Sequence, residues 1–124
     1  MKIAITAAIY VANIEHKRYL DITTKSIRSE NHDFVWVPSE NYISPAFEPL
    51  TYVFSQNPQK IEVLKPAGQQ SVAKAWNKGI EVGNSLGCDY ILVLNTDIVL
   101  KTNAIDRLVE FAQTHKDAIL WTMT

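Results

Sequence analysis

The segment Asn95-Thr96-Asp97 carries the side chains best suited to chemistry in this chain. It follows the apolar run 90–94 and precedes a second apolar run, 98–100. Residues two apart on an extended chain point to the same side, so the Asn95 amide oxygen and the Asp97 carboxylate can converge on one point. Hard oxygen ligands of this kind suit Mg²⁺ or Mn²⁺, which often complete their shell with substrate phosphates. A simple polar turn is the alternative interpretation, because these residue types favour turns.

The elements around this segment alternate between strand and helix patterns. Strands are predicted for residues 3–8, 33–37, 61–64, 89–94 and 118–123, of which the first, second and fourth are expected to be buried. Helices are predicted for residues 14–28, 69–86 and 103–115. The second strand is expected to stop at Pro38. Residues 42–60, with three prolines, are predicted to form a loop that packs on the domain and contains at most one short element. This alternation indicates an α/β fold, a three-layer α/β/α sandwich with a mainly parallel sheet, which binds ligands at the carboxyl ends of its strands.

Length and composition limit the classes of protein. The chain has 124 residues, 47% of them apolar, which predicts a single domain over residues 1–124 with a real core. Its net charge of −1 argues against a general nucleic-acid binder. A lone cysteine, Cys88, excludes an intramolecular disulfide and a thiolate zinc site. No stretch is long and apolar enough for a transmembrane segment, and the run 3–12 after Lys2 favours a buried strand over a signal peptide, so we expect a cytoplasmic protein.

The order of these motifs resembles the nucleotide-sugar-binding half of family 2 glycosyltransferases of the A-type fold (GT-A). In that family a helix that carries Asn-x-Gly-Ile leads into a strand that ends in Asp-x-Asp, and a subset has Asn-x-Asp there. Here the run Trp76-Asn77-Lys78-Gly79-Ile80 leads into the strand before Asn95-Thr96-Asp97. The first strand, followed by Tyr10 and Asn13, is similar to the family's first strand and its Pro-x-Tyr-Asn turn. The resemblance spans essentially the whole chain and implies the GT-A fold of nucleotide-diphospho-sugar transferases, in a truncated or minimal form.

The resemblance implies a cation site and a diphosphate site at the end of the fourth strand. Asp97 and Asn95 would hold a Mn²⁺ or Mg²⁺ ion that bridges the donor's diphosphate. Asn95 would also lie near the ribose or the diphosphate, with Thr96 close by. Ser71 and Lys74, at the start of the helix before that strand, would contact the base or the phosphates, since the N-terminus of a helix favours anions.

The resemblance also implies a pocket for the base of the donor. Ala8 and Tyr10, at the end of the first strand, would line it, with the tyrosine ring stacked on uracil or thymine. The family carries an Asp after its second strand that hydrogen-bonds the base, and Pro38 stands in that place here. Glu40, two residues later, would replace that Asp if the loop is offset.

The implied activity is that of a metal-dependent glycosyltransferase. It would bind a UDP- or dTDP-linked sugar and transfer the sugar, with inversion, to a hydroxyl of a glycan, lipid or protein. The family's acceptor base lies beyond its donor-binding half, so no catalytic base is assigned. Three interpretations stay open: a fragment of a longer enzyme, a minimal transferase that self-associates through the aromatic loop 42–54 to build its acceptor site, and a non-catalytic sugar-nucleotide-binding or interaction module. A receiver-like domain is disfavoured because residues 6–8 lack an acidic cluster, and a dinucleotide-binding domain because no G-x-G-x-x-G follows the first strand.

Overall fold

A parallel sheet forms the centre of the molecule, and the computed structural model of the chain describes residues 2–117. The elements are β1 (Lys2–Val11), α1 (Ile14–Lys25), β2 (Asp33–Ile43), a 3-10 turn (Pro45–Phe47), β3 (Lys60–Ile61), α2 (Val72–Ser85), β4 (Tyr90–Leu94) and α3 (Ala104–Thr114). Within residues 2–117 the sheet has four strands, all parallel, in the order β3-β2-β1-β4. The predicted α/β class and parallel sheet are therefore confirmed. The strand predicted for 118–123 lies outside the described residues.

The two faces of the sheet are covered by different helices. On one face Ile5 of β1 and Trp36 of β2 belong to a core cluster that includes residues of α1 and α3. On the other face Ala4 and Val35 pack against Val82 of α2. Residues 3–7 of β1 and 34–38 of β2 are buried, and both faces of the sheet are covered there, so these segments are almost entirely apolar instead of alternating, which is the pattern that predicted a covered parallel sheet.

Helix α2 lies unusually close to β1. A Cβ atom on Gly79 would stand 1.8 Å from the Thr6 Oγ1 atom, and one on Gly83 would stand 2.8 Å from the Ala4 Cβ atom. The Thr6 hydroxyl is itself fixed, because it donates a hydrogen bond to the Val37 carbonyl at 2.7 Å. The two glycines thus allow α2 to approach the sheet closely. This distance in turn determines where the side chains of α2 lie at the edge of the sheet.

Pro38 does not end the second strand, contrary to the prediction. β2 continues through it to Ile43, and Pro38 pairs with Ala7 of β1. The Pro38 carbonyl accepts the Leu64 N–H at 2.9 Å, so the proline nitrogen, on the same side of the strand, faces the short edge strand β3. The missing N–H therefore costs the central β1–β2 ladder no hydrogen bond, which is why a proline is tolerated there.

The first two helices are shorter than predicted because capping residues end α1 early and start α2 late. α1 ends at Lys25 because Ser26 becomes its C-cap, with its Oγ donating to the Thr23 carbonyl at 2.6 Å. α2 begins only at Val72, since Ser71 caps it and residues 69–70 stay outside the helix. The third strand is likewise shorter than the predicted 61–64, with a lone bridge at Leu64 beyond Ile61.

The aromatic loop after β2 packs on the core, as predicted, and contains the one short element expected there. The ring of Trp36 makes edge-on contacts with Tyr52 and Phe54, at centroid distances of 5.6 and 5.8 Å. Such contacts add stability beyond the apolar area they bury. These rings therefore complete the core of this chain on the face that α1 and α3 cover.

Candidate functional site

A cleft of about 430 Å³ lies at the carboxyl ends of the neighbouring strands β1 and β4. Its walls come from four elements: the end of β1, helix α1, the first turns of α2, and the segment after β4. The lining residues are Ala8, Tyr10, His16, Tyr19, Val72, Trp76, Leu94, Asn95, Thr96 and Asp97. Because β1 and β4 are neighbours in the sheet, residues almost ninety positions apart in the sequence line the same cleft.

The segment Asn95-Thr96-Asp97 forms the polar end of the cleft. β4 ends at the buried Leu94, and the chain then turns outward, which leaves Asn95 and Asp97 exposed and Thr96 half-buried. Among the described residues, these three side chains have no hydrogen-bond or ion-pair partner. Their oxygens are therefore available to a ligand or cation.

Helix α1 anchors the chain directly after this segment. The Thr23 hydroxyl donates to the Ile98 carbonyl at 2.7 Å and accepts the Ile98 N–H at 3.2 Å. One turn on, the Ser26 hydroxyl accepts the Leu100 N–H at 3.0 Å. Three hydrogen bonds from two small hydroxyls thus hold residues 98–100 against the helix. Because these bonds begin one residue after Asp97, they restrain the backbone from which its exposed side chain extends.

Aromatic rings form the other walls of the cleft. The Tyr10 ring lies 5.3 Å from the Tyr42 ring and 5.4 Å from the His16 imidazole, measured between centroids. Trp76, on α2, is half-buried, and its indole N–H has no partner among the described residues. An unpartnered donor of this kind gains free energy when a ligand supplies an acceptor.

A bulge in β2 holds the start of α2 beside the cleft. Ile9 pairs with Glu40 but Tyr10 pairs with Tyr42, so Asn41 is the extra residue. The buried Asn41 amide donates to the Gln70 carbonyl and accepts the Gln70 N–H, both at 2.7 Å. These two bonds clamp the residue that precedes the cap of α2.

Ser71 and Lys74 do not line the cleft. The Ser71 side chain caps α2 by accepting the Lys74 N–H at 3.2 Å, and both side chains are solvent-exposed. The structure therefore places a structural hydrogen bond where the resemblance implies contacts with the base or the phosphates.

Glu40 also stands apart from the cleft, in a contact of its own. The Tyr52 hydroxyl donates to Glu40 Oε2 at 2.6 Å, and the Lys65 ammonium lies 3.9 Å from Glu40 Oε1. The Glu40 side chain is 7% exposed. Burial, followed by the hydrogen bond and the charge of Glu40, raises the pKa of Tyr52 far above its usual value. The Glu40 carboxylate is thus occupied within the chain.

The structure therefore gathers five of the predicted site residues and leaves three out. The gathered residues are Ala8, Tyr10, Asn95, Thr96 and Asp97, and those outside are Glu40, Ser71 and Lys74. Within residues 2–117 no group of three or more histidines, cysteines or carboxylates could hold a metal ion by itself. A cation at this edge would accordingly need Asn95 and Asp97 together with oxygens from a ligand or water, a pattern that Mg²⁺ and Mn²⁺ accept.

Sequence reasoning gave no role at the site to the wall residues Tyr19, Val72 and Trp76. It also missed four residues whose hydrogen bonds build this site: His16, Thr23, Ser26 and Asn41. Only His16 left a local signal, since it follows the cap residue Asn13 by three positions, as the third residue of a capping box does. The other three act on partners 29 to 75 positions away, which no local pattern reveals.

Two further findings bear on the class of this protein. In the part of the chain that the structure describes, no helix has the length and apolar character needed to cross a membrane. Comparisons of the chain with protein families, with curated proteins and with solved structures found no match in any of the three.

Proposed function

We propose that the cleft binds a nucleoside-diphosphate sugar together with Mn²⁺ or Mg²⁺, and that the chain is the donor-binding part of an inverting glycosyltransferase of the GT-A type. The observation that carries this proposal is that Asn95 and Asp97 both line the cleft and that neither side chain has a partner among the described residues. This pair of residues lies at the carboxyl edge of a parallel sheet, in a cleft that also presents aromatic rings. In parallel α/β sheets this edge is where ligands bind.

The parts of such a donor fit the parts of the cleft. Tyr10 and Trp76 offer ring faces for a pyrimidine base, and Tyr10 is 45% exposed, so its ring is accessible. Asp97 supplies a negative charge for the cation, and Asn95 supplies a neutral oxygen. The diphosphate would add the remaining ligands, as is usual for Mg²⁺ bound with nucleotides.

The residues of the chain bind and orient the donor at this edge. The bound cation would act as a Lewis acid that stabilises the negative charge on the leaving nucleoside diphosphate. Thr23 and Ser26 keep Asp97 in place through the bonds to residues 98–100. This rigidity matters because a cation site loses affinity when its ligands must first be ordered.

One observation favours the second candidate, a sugar-nucleotide-binding module without turnover. Among the described residues that line the cleft, Asp97 is the only carboxylate, and the cation would use it. No second carboxylate is then left in the lining to deprotonate an acceptor. If the chain alone hydrolyses a nucleoside-diphosphate sugar to free sugar, or transfers that sugar to an added hydroxyl acceptor, this second candidate is rejected.

The decisive experiment is a calorimetric titration of the chain with UDP and with dTDP, with and without Mn²⁺. We expect Mn²⁺ to tighten binding by about tenfold or more. Asp97→Ala should remove that gain, and Glu110→Ala, at an exposed carboxylate on α3, should leave it intact. Binding that ignores Mn²⁺ and survives Asp97→Ala would overturn the proposed cation site.

A further inference from the structure

The start of α1 makes a hydrogen bond to one nitrogen of the His16 imidazole. The backbone N–H of Ala12 donates to His16 Nδ1 at 3.1 Å. The backbone N–H of His16 in turn donates to the Asn13 side-chain oxygen at 3.0 Å. These two contacts form a variant of the capping box in which the histidine ring replaces the usual Glu or Gln and accepts the N–H of Ala12, the residue before the cap, instead of the N–H of Asn13.

This contact fixes the tautomer of the ring. A nitrogen that accepts a backbone N–H carries no proton, so the proton of the neutral imidazole lies on Nε2. Among the described residues Nε2 has no partner. The His16 ring lines the cleft, beside Tyr10 and in the same lining as Asp97. The cap therefore leaves an imidazole N–H donor available to a ligand in the cleft.

The charges of the cleft make such a donor valuable to an anion. No lysine or arginine belongs to the described lining, and Asp97 is its only carboxylate. The basic residues closest in sequence to lining residues are Lys17, Arg18 and Lys74, and none of the three belongs to the lining. A diphosphate would therefore depend on the cation and on neutral N–H and O–H donors. The side chains of the described lining that carry N–H groups are His16, Asn95 and Trp76, and the unpartnered Trp76 nitrogen is itself buried.

We propose that His16 donates its Nε2–H to a phosphate oxygen of the bound diphosphate and so helps to select phosphorylated ligands over the bare nucleoside. This assignment rests on the proposed function and deepens it. The same ring accepts the Ala12 N–H, so one side chain both caps α1 and contacts the ligand. Capping and ligand contact can be separated, because different atoms of the ring perform them.

Two matched variants separate the cap from the ligand contact. His16→Gln and His16→Glu both keep an oxygen that accepts the backbone N–H, since Gln and Glu are the usual residues at this position of a capping box. Only Gln keeps an N–H donor, whereas Glu adds a negative charge. Both proteins are titrated with UDP, inorganic pyrophosphate and uridine in the presence of Mn²⁺, and their thermal unfolding midpoints are compared.

We expect His16→Glu to weaken the binding of UDP and of pyrophosphate by about tenfold or more, because the variant loses the N–H donor and also places a negative charge beside the phosphates. His16→Gln should stay within about threefold of the wild type, and uridine binding should not distinguish the two variants. Equal affinities of the two variants for UDP and pyrophosphate would overturn the assignment of His16 while leaving the cation site of Asp97 untouched. A wild-type chain that binds neither ligand with Mn²⁺ would overturn the proposed function as well.

A second measurement decides the matter if His16→Glu fails to fold. Long-range ¹H–¹⁵N spectra of the wild-type imidazole should show the Nε2–H tautomer in the free chain. Addition of pyrophosphate and Mg²⁺, which avoids the paramagnetism of Mn²⁺, should shift the Nε2 resonance. A proton on Nδ1, or an unchanged Nε2 resonance at saturating pyrophosphate, would overturn the assignment.

Discussion

Two carboxylates near the same edge of the sheet, Asp97 and Glu40, have opposite surroundings. Asp97 follows β4, is exposed, and has no partner among the described residues. Glu40 lies in β2, and its side chain is 7% exposed. It accepts the Tyr52 hydroxyl at 2.6 Å and faces Lys65 at 3.9 Å.

The surroundings of the two carboxylates indicate which of them stabilises the fold and which can bind a ligand. A buried carboxylate with a hydroxyl partner stabilises the fold, and the loss of either group leaves the other without its hydrogen bond. An exposed carboxylate without a partner adds little to stability but keeps its charge for a ligand. Asp97 should therefore matter for affinity and Glu40 for stability, and variants can test each half of this contrast.

The largest effect is expected from Gly79→Ala, which moves the cleft wall without touching the Glu40–Tyr52 pair. The new Cβ would meet Thr6 Oγ1 at 1.8 Å, and Thr6 is fixed by its bond to Val37, so α2 must move away from the sheet. Overpacking of this kind should lower the free energy of unfolding by about 2–3 kcal/mol. Urea denaturation measures this loss.

The displacement should also weaken nucleotide binding, because Val72 and Trp76 move with α2. Gly68→Ala is the matched control, since a Cβ there has nothing within 4 Å. If Gly79→Ala unfolds at the same urea concentration as the wild type, the close approach of α2 to β1 does not hold, and the position of the cleft wall has to be explained by other contacts.

Glu40→Ala tests the structural half of the contrast. It leaves the Tyr52 hydroxyl without its acceptor, so the free energy of unfolding should fall by about 2 kcal/mol. The contribution of Lys65 should be small, because its side chain is 71% exposed. Glu62→Ala, which removes a more exposed ion pair with Lys60, is the matched control and should cost well under about 1 kcal/mol.

The same Glu40→Ala variant should bind UDP as tightly as the wild type does. Glu40 is the residue that the family resemblance offers as a partner of the base, whereas the structure pairs it with Tyr52. A clear loss of UDP affinity together with unchanged stability would reverse the assignment and return Glu40 to the base pocket.

The fold could be predicted from sequence wherever burial is continuous along the chain. The apolar runs of β1 and β4 and the amphipathic pattern of α3 each report a local environment, and all three elements form. The local sequence did not show that β2 continues through Pro38. Whether a proline ends a strand depends on which neighbour its nitrogen faces, and only the strand order decides that.

The site could be predicted only in part, for a similar reason. Asn95 and Asp97 are visible because polar residues interrupt an apolar sequence at a strand end. Glu40 interrupts a strand in the same manner, and its partner Tyr52 comes from a loop twelve residues later. A sequence shows that a carboxylate is present but not whether another side chain of the protein already occupies it.

Tyr52→Phe should have the smallest effect on the free energy of unfolding, and this effect should depend on pH. Burial first, and then the hydrogen bond and charge of Glu40, raise the pKa of Tyr52 in the folded chain. In the unfolded chain the hydroxyl titrates near pH 10. At neutral pH both states are protonated, so the variant should lose only the net value of the hydrogen bond, about 1 kcal/mol.

Above pH 10 the two proteins should converge. The unfolded wild-type chain then releases the Tyr52 proton while the folded chain keeps it, so the wild type loses stability as the pH rises, by up to about 1.4 kcal/mol per pH unit for one proton. Tyr52→Phe has no such proton to release. Urea denaturation at pH 8, 10 and 11 should therefore show the difference between wild type and variant shrink toward zero. Parallel curves across this range would mean that the Tyr52 hydroxyl reaches solvent in the folded chain, and the contrast between an occupied Glu40 and an open Asp97 would then lose its structural half.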